Sequence, residues 1–158
     1  MLAATIGLAG PAAARDSLGV FSEWGAFRDA DPARCFAIAE PAIRVGPNAA
    51  WRPFASIGFW PGRARGAQIN IRLSRPRRAD APVVLILGDR RYTLVASRSD
   101  AWTTDRRMDA AIVAQMRSEA TMLIATRSER GRLFTDEYPL RGAATAIDAA
   151  AIGCARVR

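Results

Sequence analysis

Two cysteines, Cys35 and Cys154, enclose most of this chain and constrain its fold more than any other feature. An apolar segment, residues 1–14, precedes them and ends in three alanines, as expected before a signal-peptide cleavage site. Exported proteins fold in oxidising compartments, where paired cysteines form disulfides. We therefore expect a periplasmic or secreted protein that is closed by a Cys35–Cys154 disulfide.

Each part of this interpretation has an alternative. The apolar segment lacks a preceding Lys or Arg, and it could instead be a buried N-terminal helix, although Gly7, Gly10 and Pro11 suit a helix poorly. The cysteines could be two free buried thiols of a cytosolic protein. If they are bonded, the long loop that they close stabilises the fold by roughly 4–5 kcal/mol in the chain-entropy model.

The remainder of the sequence, 15–158, has the length and composition of one globular domain. No domain boundary or repeat is visible within it. The longest later apolar run, Val83 to Leu87, is too short to cross a bilayer, so no transmembrane anchor is expected in the mature chain.

Short alternating segments predict a mainly β fold, an antiparallel sandwich or barrel-like sheet of about 7–8 strands with two helices in the C-terminal half. The first strand is predicted over Val20 to Asp29, and Ser97 to Ala101 is predicted as a loop. Helices are predicted from Thr104 or Asp105 to about Arg117 and from Gly142 to Gly153. The other predicted strands are Arg34 to Glu40, Phe54 to Trp60, Gln68 to Leu73, Val83 to Leu87, Arg91 to Ala96, Thr121 to Arg127 and Arg132 to Tyr138.

The inventory of reactive residues excludes several enzyme classes. The chain has no histidine, which excludes Ser-His-Asp and Cys-His mechanisms, and two cysteines alone do not complete a zinc site. A mechanism that uses only carboxylates stays open, with Glu23, Asp136 and Glu137 as its acids. We predict no catalytic residue, no metal site and no cofactor, and we expect a protein that is not an enzyme.

The basic residues suggest a surface for anions. The formal net charge is +8, and every one of the 23 basic residues is arginine. One group could form an anion-binding rim, although charged protection of a sheet edge explains it as well. Its members are Arg63, Arg65, Arg72, Arg75, Arg77 and Arg78.

The four tryptophans, Trp24, Trp51, Trp60 and Trp102, could form a ligand-stacking face, but core packing is the favoured interpretation. Asp136 and Glu137, in the segment that ends with Tyr138, could suggest acid chemistry. We prefer a strand with one exposed acid there.

With these motifs in order, the chain resembles the invasion-associated locus B family of alphaproteobacterial exported proteins, over Phe21 to Cys154. Pro139 stands where that family usually has serine. The matching segments are Phe21-Ser22-Glu23-Trp24-Gly25, Arg34-Cys35-Phe36-Ala37-Ile38, Pro41, Ala101-Trp102, Arg130-Gly131, Asp136-Glu137-Tyr138, Leu140-Arg141-Gly142, Ala146 and Cys154.

The resemblance implies a periplasmic or secreted location, a β-rich body, and association with host-cell invasion in pathogenic members. It carries over no catalytic residue. We therefore expect a non-enzymatic exported protein that acts through its surface on an unidentified protein or an anionic envelope partner, rather than on nucleic acid. The alternative is a basic module that binds an anionic polymer, either lipopolysaccharide or nucleic acid.

Overall fold

The computed structural model describes residues 15–44, 46, 50–62 and 66–155. The predicted leader, 1–14, lies outside these residues. Ten strands and two helices occur in the described part: β1 (Asp16–Phe21), β2 (Trp24–Ala30), β3 (Ala33–Ala39), β4 (Phe54–Phe59), β5 (Gln68–Arg72), β6 (Val83–Leu87), β7 (Arg90–Ala96), β8 (Asp100–Trp102), α1 (Arg106–Met116), β9 (Thr121–Arg127), β10 (Leu133–Pro139) and α2 (Ala143–Ala155).

The strands form one antiparallel sheet in the order β1-β2-β3-β4-β5-β8-β7-β6-β9-β10. The predicted class, mainly β with two helices in the C-terminal half, is confirmed. The sheet curls so that its two ends meet: the indole N–H of Trp24 on β2 donates to the carbonyl oxygen of Pro139 on β10 at 2.9 Å. The amide of Ala42 likewise donates to the carbonyl of Glu137 at 2.7 Å.

The predicted strand number is too low, for two local reasons. Val20 to Asp29 is not one strand, because the chain reverses at Ser22 and Glu23 to form the β1–β2 hairpin, with Ser22 at a positive φ of 54°. The segment predicted as the loop Ser97 to Ala101 contains the start of β8, which is only three residues long. A strand this short has no detectable alternation, and its pairing with β5 and β7 defines it.

The disulfide is confirmed. Cys35 on β3 and Cys154 in the last turn of α2 are bonded, with their Cα atoms 5.6 Å apart and a sequence separation of 119. The bond fixes α2 against the face of the sheet that β1 to β4 provide. Contrary to prediction, Gly153 does not end α2, because packing overrides its low helix propensity. A Cβ at Gly153 would lie 2.6 Å from Cδ1 of Leu18 on β1, so the glycine permits this close approach.

Alternation along β3, β4 and β5 separates an inner face from an outer face. Most odd-numbered side chains of these strands, such as Ala37, Ile57 and Ile71, are buried in the core, and those of β5 were predicted to be. Even-numbered side chains therefore point to the opposite, outer face. Neither helix in the described residues is both long enough and apolar enough to cross a bilayer.

A hydrogen bond joins the first turn of α1 to β5. Of the two predicted caps, Thr104 and Asp105, it is Asp105 that caps the helix, by accepting hydrogen bonds from the amides of Arg107 and Met108. One turn later, the buried Asp109 carboxylate accepts from the amide of Ile69 at 2.9 Å and from the hydroxyl of Thr103 at 2.6 Å. These bonds bring the first turn of α1 to the end of the outer face.

Candidate functional site

The outer face of β3, β4, β5 and β8 forms an open groove of about 880 Å³. The strand registers place Ile38, Ser56, Asn70 and Trp102 side by side in one row that crosses all four strands. The side chains of Ser56 and Asn70 are shorter than that of Trp102, so the middle of this row rises least above the sheet. The row is the floor of the groove.

Aromatic side chains rise on both sides of the floor. Trp60 lies over Gly58 so closely that a Cβ at Gly58 would be 2.8 Å from the indole carbon Cη2. Gly58 pairs with Phe36 in the register, and Phe54 lies on the other side of Ser56 along β4. Trp102 closes the floor on β8 and is 38% exposed. The groove thus presents two indoles whose rings are not fully buried.

Guanidinium groups cover the phenylalanines. The Cζ atoms of Arg15 and Arg34 lie 5.1 and 5.0 Å from the ring centre of Phe36, and that of Arg72 lies 5.5 Å from the ring centre of Phe54. These distances are those of cation–π contacts. The groove is therefore lined by arginine and aromatic side chains in alternation.

Carboxylates hold these arginines in place. Asp29 lies 2.8 Å from both Arg15 and Arg34, and Asp100 lies 2.9 Å from Arg72. The hydrogen bond from Arg15, aided by that from Arg34, keeps the pKa of Asp29 below its usual value. Two residues after Ile38 in the chain, Glu40 lies 3.2 Å from Arg52 and 3.6 Å from Arg44. Asp29 and Glu40 are each shared by two arginines.

The acids inside the groove serve the fold. Asp105 caps α1, and the amide of Met108 is the main reason that its pKa is lowered. Asp109 holds β5 and Thr103. Across the described residues, no group of three or more Cys, Asp or Glu side chains is arranged to hold a metal ion. The arrangement suits binding of a ligand by stacking and by guanidinium hydrogen bonds.

The four described arginines of the predicted rim have different surroundings. Arg72 lies in the groove, Arg75 covers the ring of Phe134 at 5.0 Å, and Arg78 pairs with Asp80 at 2.6 Å. Arg63 and Arg65 lie outside the described residues. The guanidinium of Arg77 is engaged within the fold, at 2.7–2.9 Å from five backbone carbonyl oxygens, those of Ser97, Arg78, Ala79, Ala81 and Ala96.

The tryptophans divide between core and groove. Trp24 is fully buried, as core packing predicted, and Trp51 donates to the carbonyl of Leu73 at 2.8 Å. Trp60 and Trp102 instead line the groove. Two of the four therefore have the position that the stacking interpretation requires.

The acid pair on β10 behaves as expected for a strand. Glu137 is exposed, whereas Asp136 is buried and accepts a hydrogen bond from the amide of Ser74 at 2.8 Å. Burial raises the pKa of Asp136 above its usual value. This carboxyl lies in the interior and takes no part in the groove.

Sequence reasoning missed most of the groove, including Phe36, Phe54 and Asn70. A signal was present, since alternation places even-numbered residues of three strands on one face. That signal becomes useful only when the strand order is known, because each of β3, β4 and β5 contributes only part of the groove. Trp102 joins them through β8, which sequence patterns did not reveal.

The fold is similar to that of invasion associated protein B from Bartonella henselae. The crystal structure of that protein superimposes with a TM-score of 0.64 at 15% sequence identity, covering 85% of this chain and 96% of that chain. No protein-family model matches the chain, and no curated protein matches it. The similarity thus establishes a shared fold.

Proposed function

We propose that this chain is an exported protein of the invasion-associated locus B family, and that it acts by binding an envelope or host partner through its surface, without catalysis. The observation that carries the proposal is the fold similarity, which extends over 96% of invasion associated protein B. The ordered sequence motifs from Phe21 to Cys154 agree with it.

The disulfide supports a location outside the cytoplasm. Cys35 and Cys154 are both buried and bonded, and such bonds persist in oxidising compartments. The apolar segment 1–14 supports export independently, through its sequence alone. Together they favour a periplasmic or secreted protein.

The groove supports a binding role. Its acidic side chains are committed to capping α1, to holding β5 and to orienting arginines, as described above. What it offers a partner is an aromatic and arginine surface on a rigid sheet, which is typical of recognition sites.

Fractionation of cells that carry the full chain with a C-terminal tag tests export. We expect the protein in the periplasm or medium, starting at Arg15, with no thiol available to an alkylating reagent before reduction. A cytoplasmic protein that retains Met1 and two free thiols would contradict the proposal.

Capture from envelope extract tests the surface role. Oxidised wild-type protein is compared with Trp102→Ala, which removes an exposed groove side chain, and with Arg98→Gln, whose Glu129 ion pair lies outside the groove. We expect a bound component that Trp102→Ala loses and Arg98→Gln retains. Identical recovery with all three proteins would argue against the groove as the binding surface.

The second candidate function is a basic module that binds an anionic polymer, lipopolysaccharide or nucleic acid. The net charge of +8 favours it. Retention on a heparin column that collapses with moderate salt would support this function, because contacts to sulfate or phosphate are salt-sensitive. Elution in the flow-through at low salt would remove it.

A further inference from the structure

We propose that the groove on the outer face of β3, β4, β5 and β8 binds an acidic saccharide, a sugar chain that carries carboxylate, sulfate or phosphate groups. The inference deepens the binding function proposed above. It rests on that function only in assuming that the protein meets the saccharide outside the cytoplasm. Shape, stacking surface, charge and strand pairing each contribute to the choice of ligand.

The floor is long enough for a short oligosaccharide. Adjacent strands lie about 4.8 Å apart, so the row across four strands spans about 14 Å. Its middle is polar and low, formed by the Ser56 hydroxyl and the Asn70 side chain. These groups can exchange hydrogen bonds with sugar hydroxyls.

The indoles supply the stacking surfaces. A pyranose ring has an apolar face of C–H groups that packs well on a flat aromatic ring. Trp60 lies over Gly58 on one flank of the floor, and Trp102 stands at its β8 end. Two separated platforms of this kind suit successive rings of one chain.

Positive charge remains at two places beside the floor. Asp29 is shared by Arg15 and Arg34, and Glu40 is shared by Arg44 and Arg52. One carboxylate cannot neutralise two guanidinium groups, so each cluster keeps one net positive charge. Guanidinium N–H groups that face the groove can then bind an acid group of the sugar in bidentate fashion.

The same contacts disfavour nucleic acid. Single strands bind by stacking successive bases on aromatic faces along a basic groove. Here arginines already cover the rings of Phe36 and Phe54, at 5.0–5.5 Å from the ring centres. Among the described aromatic side chains that line the groove, two indoles remain for stacking.

The strand pairing disfavours an extended peptide. A peptide strand adds to a sheet edge that has free backbone groups. All four strands under the groove have a sheet neighbour on each side, since β3 lies between β2 and β4 and β8 lies between β5 and β7. Recognition must therefore use side chains, which is how saccharides are bound.

Calorimetric titration of the oxidised protein tests the proposal. The probes are a heparin-derived hexasaccharide, hexagalacturonate, neutral maltohexaose and a short oligothymidylate. We expect saturable binding of at least one acidic hexasaccharide, accompanied by a change in tryptophan fluorescence, and none of maltohexaose. Trp102→Ala and Arg34→Gln should each weaken binding about tenfold, whereas Arg98→Gln should stay within about twofold of wild type.

The remaining outcomes overturn the proposal. They are no saturable binding of either acidic probe, binding of maltohexaose as tight as that of the acidic probes, an equal loss in Arg98→Gln, or tighter binding of oligothymidylate. If Arg34→Gln loses its native near-UV circular dichroism, the exposed Arg52→Gln replaces it. The titration uses purified protein, so its result stands apart from the export assay and the two can fail separately.

Discussion

The indole N–H of Trp24 donates to the carbonyl oxygen of Pro139, and this 2.9 Å hydrogen bond joins residues that are 115 positions apart. Trp24 opens β2, and Pro139 is the last residue of β10, so the bond joins two strands that lie far apart in the sheet order. A buried tryptophan thus packs the core and holds the curl of the sheet at the same time.

Trp24→Phe should keep most of the packing and lose the bond. The carbonyl of Pro139 would then lack its indole donor, so we expect a loss of about 2 kcal/mol in the free energy of unfolding. Urea denaturation measures the loss, and Trp102→Phe is the control, since Trp102 donates no described hydrogen bond and its change should stay within about 0.5 kcal/mol. Equal effects of the two substitutions would show that the bond contributes nothing.

Gly142 is needed for both its conformation and its size. Its φ is +88°, and a Cβ there would overlap the carbonyl oxygen of Phe21. Gly142→Ala should therefore destabilise the protein by about 3 kcal/mol or more, because the backbone of β1 has to move. Gly62, at φ +66° with nothing within 4 Å of a Cβ, is the matched control.

Gly62→Ala should cost only the conformational strain, about 1 kcal/mol. The difference between the two variants in urea denaturation isolates the steric overlap. If Gly142→Ala costs no more than Gly62→Ala, then β1 adapts freely and its contact with the start of α2 is loose.

Local patterns predicted the elements that carry their own signal. The strand at Val83 to Leu87 begins and ends where predicted, as does the one at Thr121 to Arg127, since turns bound both. The cap at Asp105 was equally local, because its carboxylate bonds to amides two and three residues away. Residues close in sequence determine each of these features.

What could not be predicted depends on distant partners. β8 exists because β5 and β7 pair with its three residues, and α2 continues through Gly153 because the sheet packs against it. The groove required the strand order β3-β4-β5-β8, in which a crossover brings Trp102 beside Asn70. The four described arginines of the predicted rim, Arg72, Arg75, Arg77 and Arg78, have different partners, because neighbouring residues of a chain point to different environments.

The disulfide should supply a large part of the stability. Replacing both cysteines, as Cys35→Ala with Cys154→Ala, opens a loop with a sequence separation of 119 and should lower the free energy of unfolding by about 4–5 kcal/mol. Urea denaturation with and without reductant measures it. Wild-type protein should become as labile as the double variant when reduced, and the variant should not respond. A wild-type urea midpoint that does not change on full reduction would contradict this expectation.

Arg77 organises the segment before β6. Its guanidinium lies 2.7–2.9 Å from five backbone carbonyl oxygens of two segments, so Arg77→Gln should leave several of them without a donor. We expect a loss of about 3 kcal/mol. Arg78→Gln removes only an exposed ion pair with Asp80 and should change stability by less than about 1 kcal/mol. Thermal denaturation of both variants compares them, and similar melting temperatures would show that water replaces the Arg77 contacts at no cost.

Asp136 should make the stability depend on pH in the direction opposite to an ion-paired acid. Burial raises its pKa in the folded protein above the ordinary value of 3.8, so the folded state holds its proton more tightly than the unfolded state. Its contribution to stability is therefore greatest below the unfolded pKa and is lost as the pH rises through the folded pKa. Asp136→Asn retains an acceptor for the amide of Ser74 and carries no charge. The variant should gain stability relative to wild type as the pH rises from 3 to 7.

Asp148→Asn is the matched control for that pH series. The hydrogen bond from Arg117 lowers the pKa of Asp148, so its contribution is present above the unfolded pKa and is lost as the pH falls. Relative to wild type, Asp148→Asn should therefore lose stability as the pH rises over the interval in which Asp136→Asn gains it. Urea denaturation at several pH values measures both differences. A pH-independent difference for Asp136→Asn would mean that the Asp136 carboxyl is solvated in the folded protein, and a curve parallel to that of Asp148→Asn would mean that the hydrogen bond from the Ser74 amide outweighs the burial.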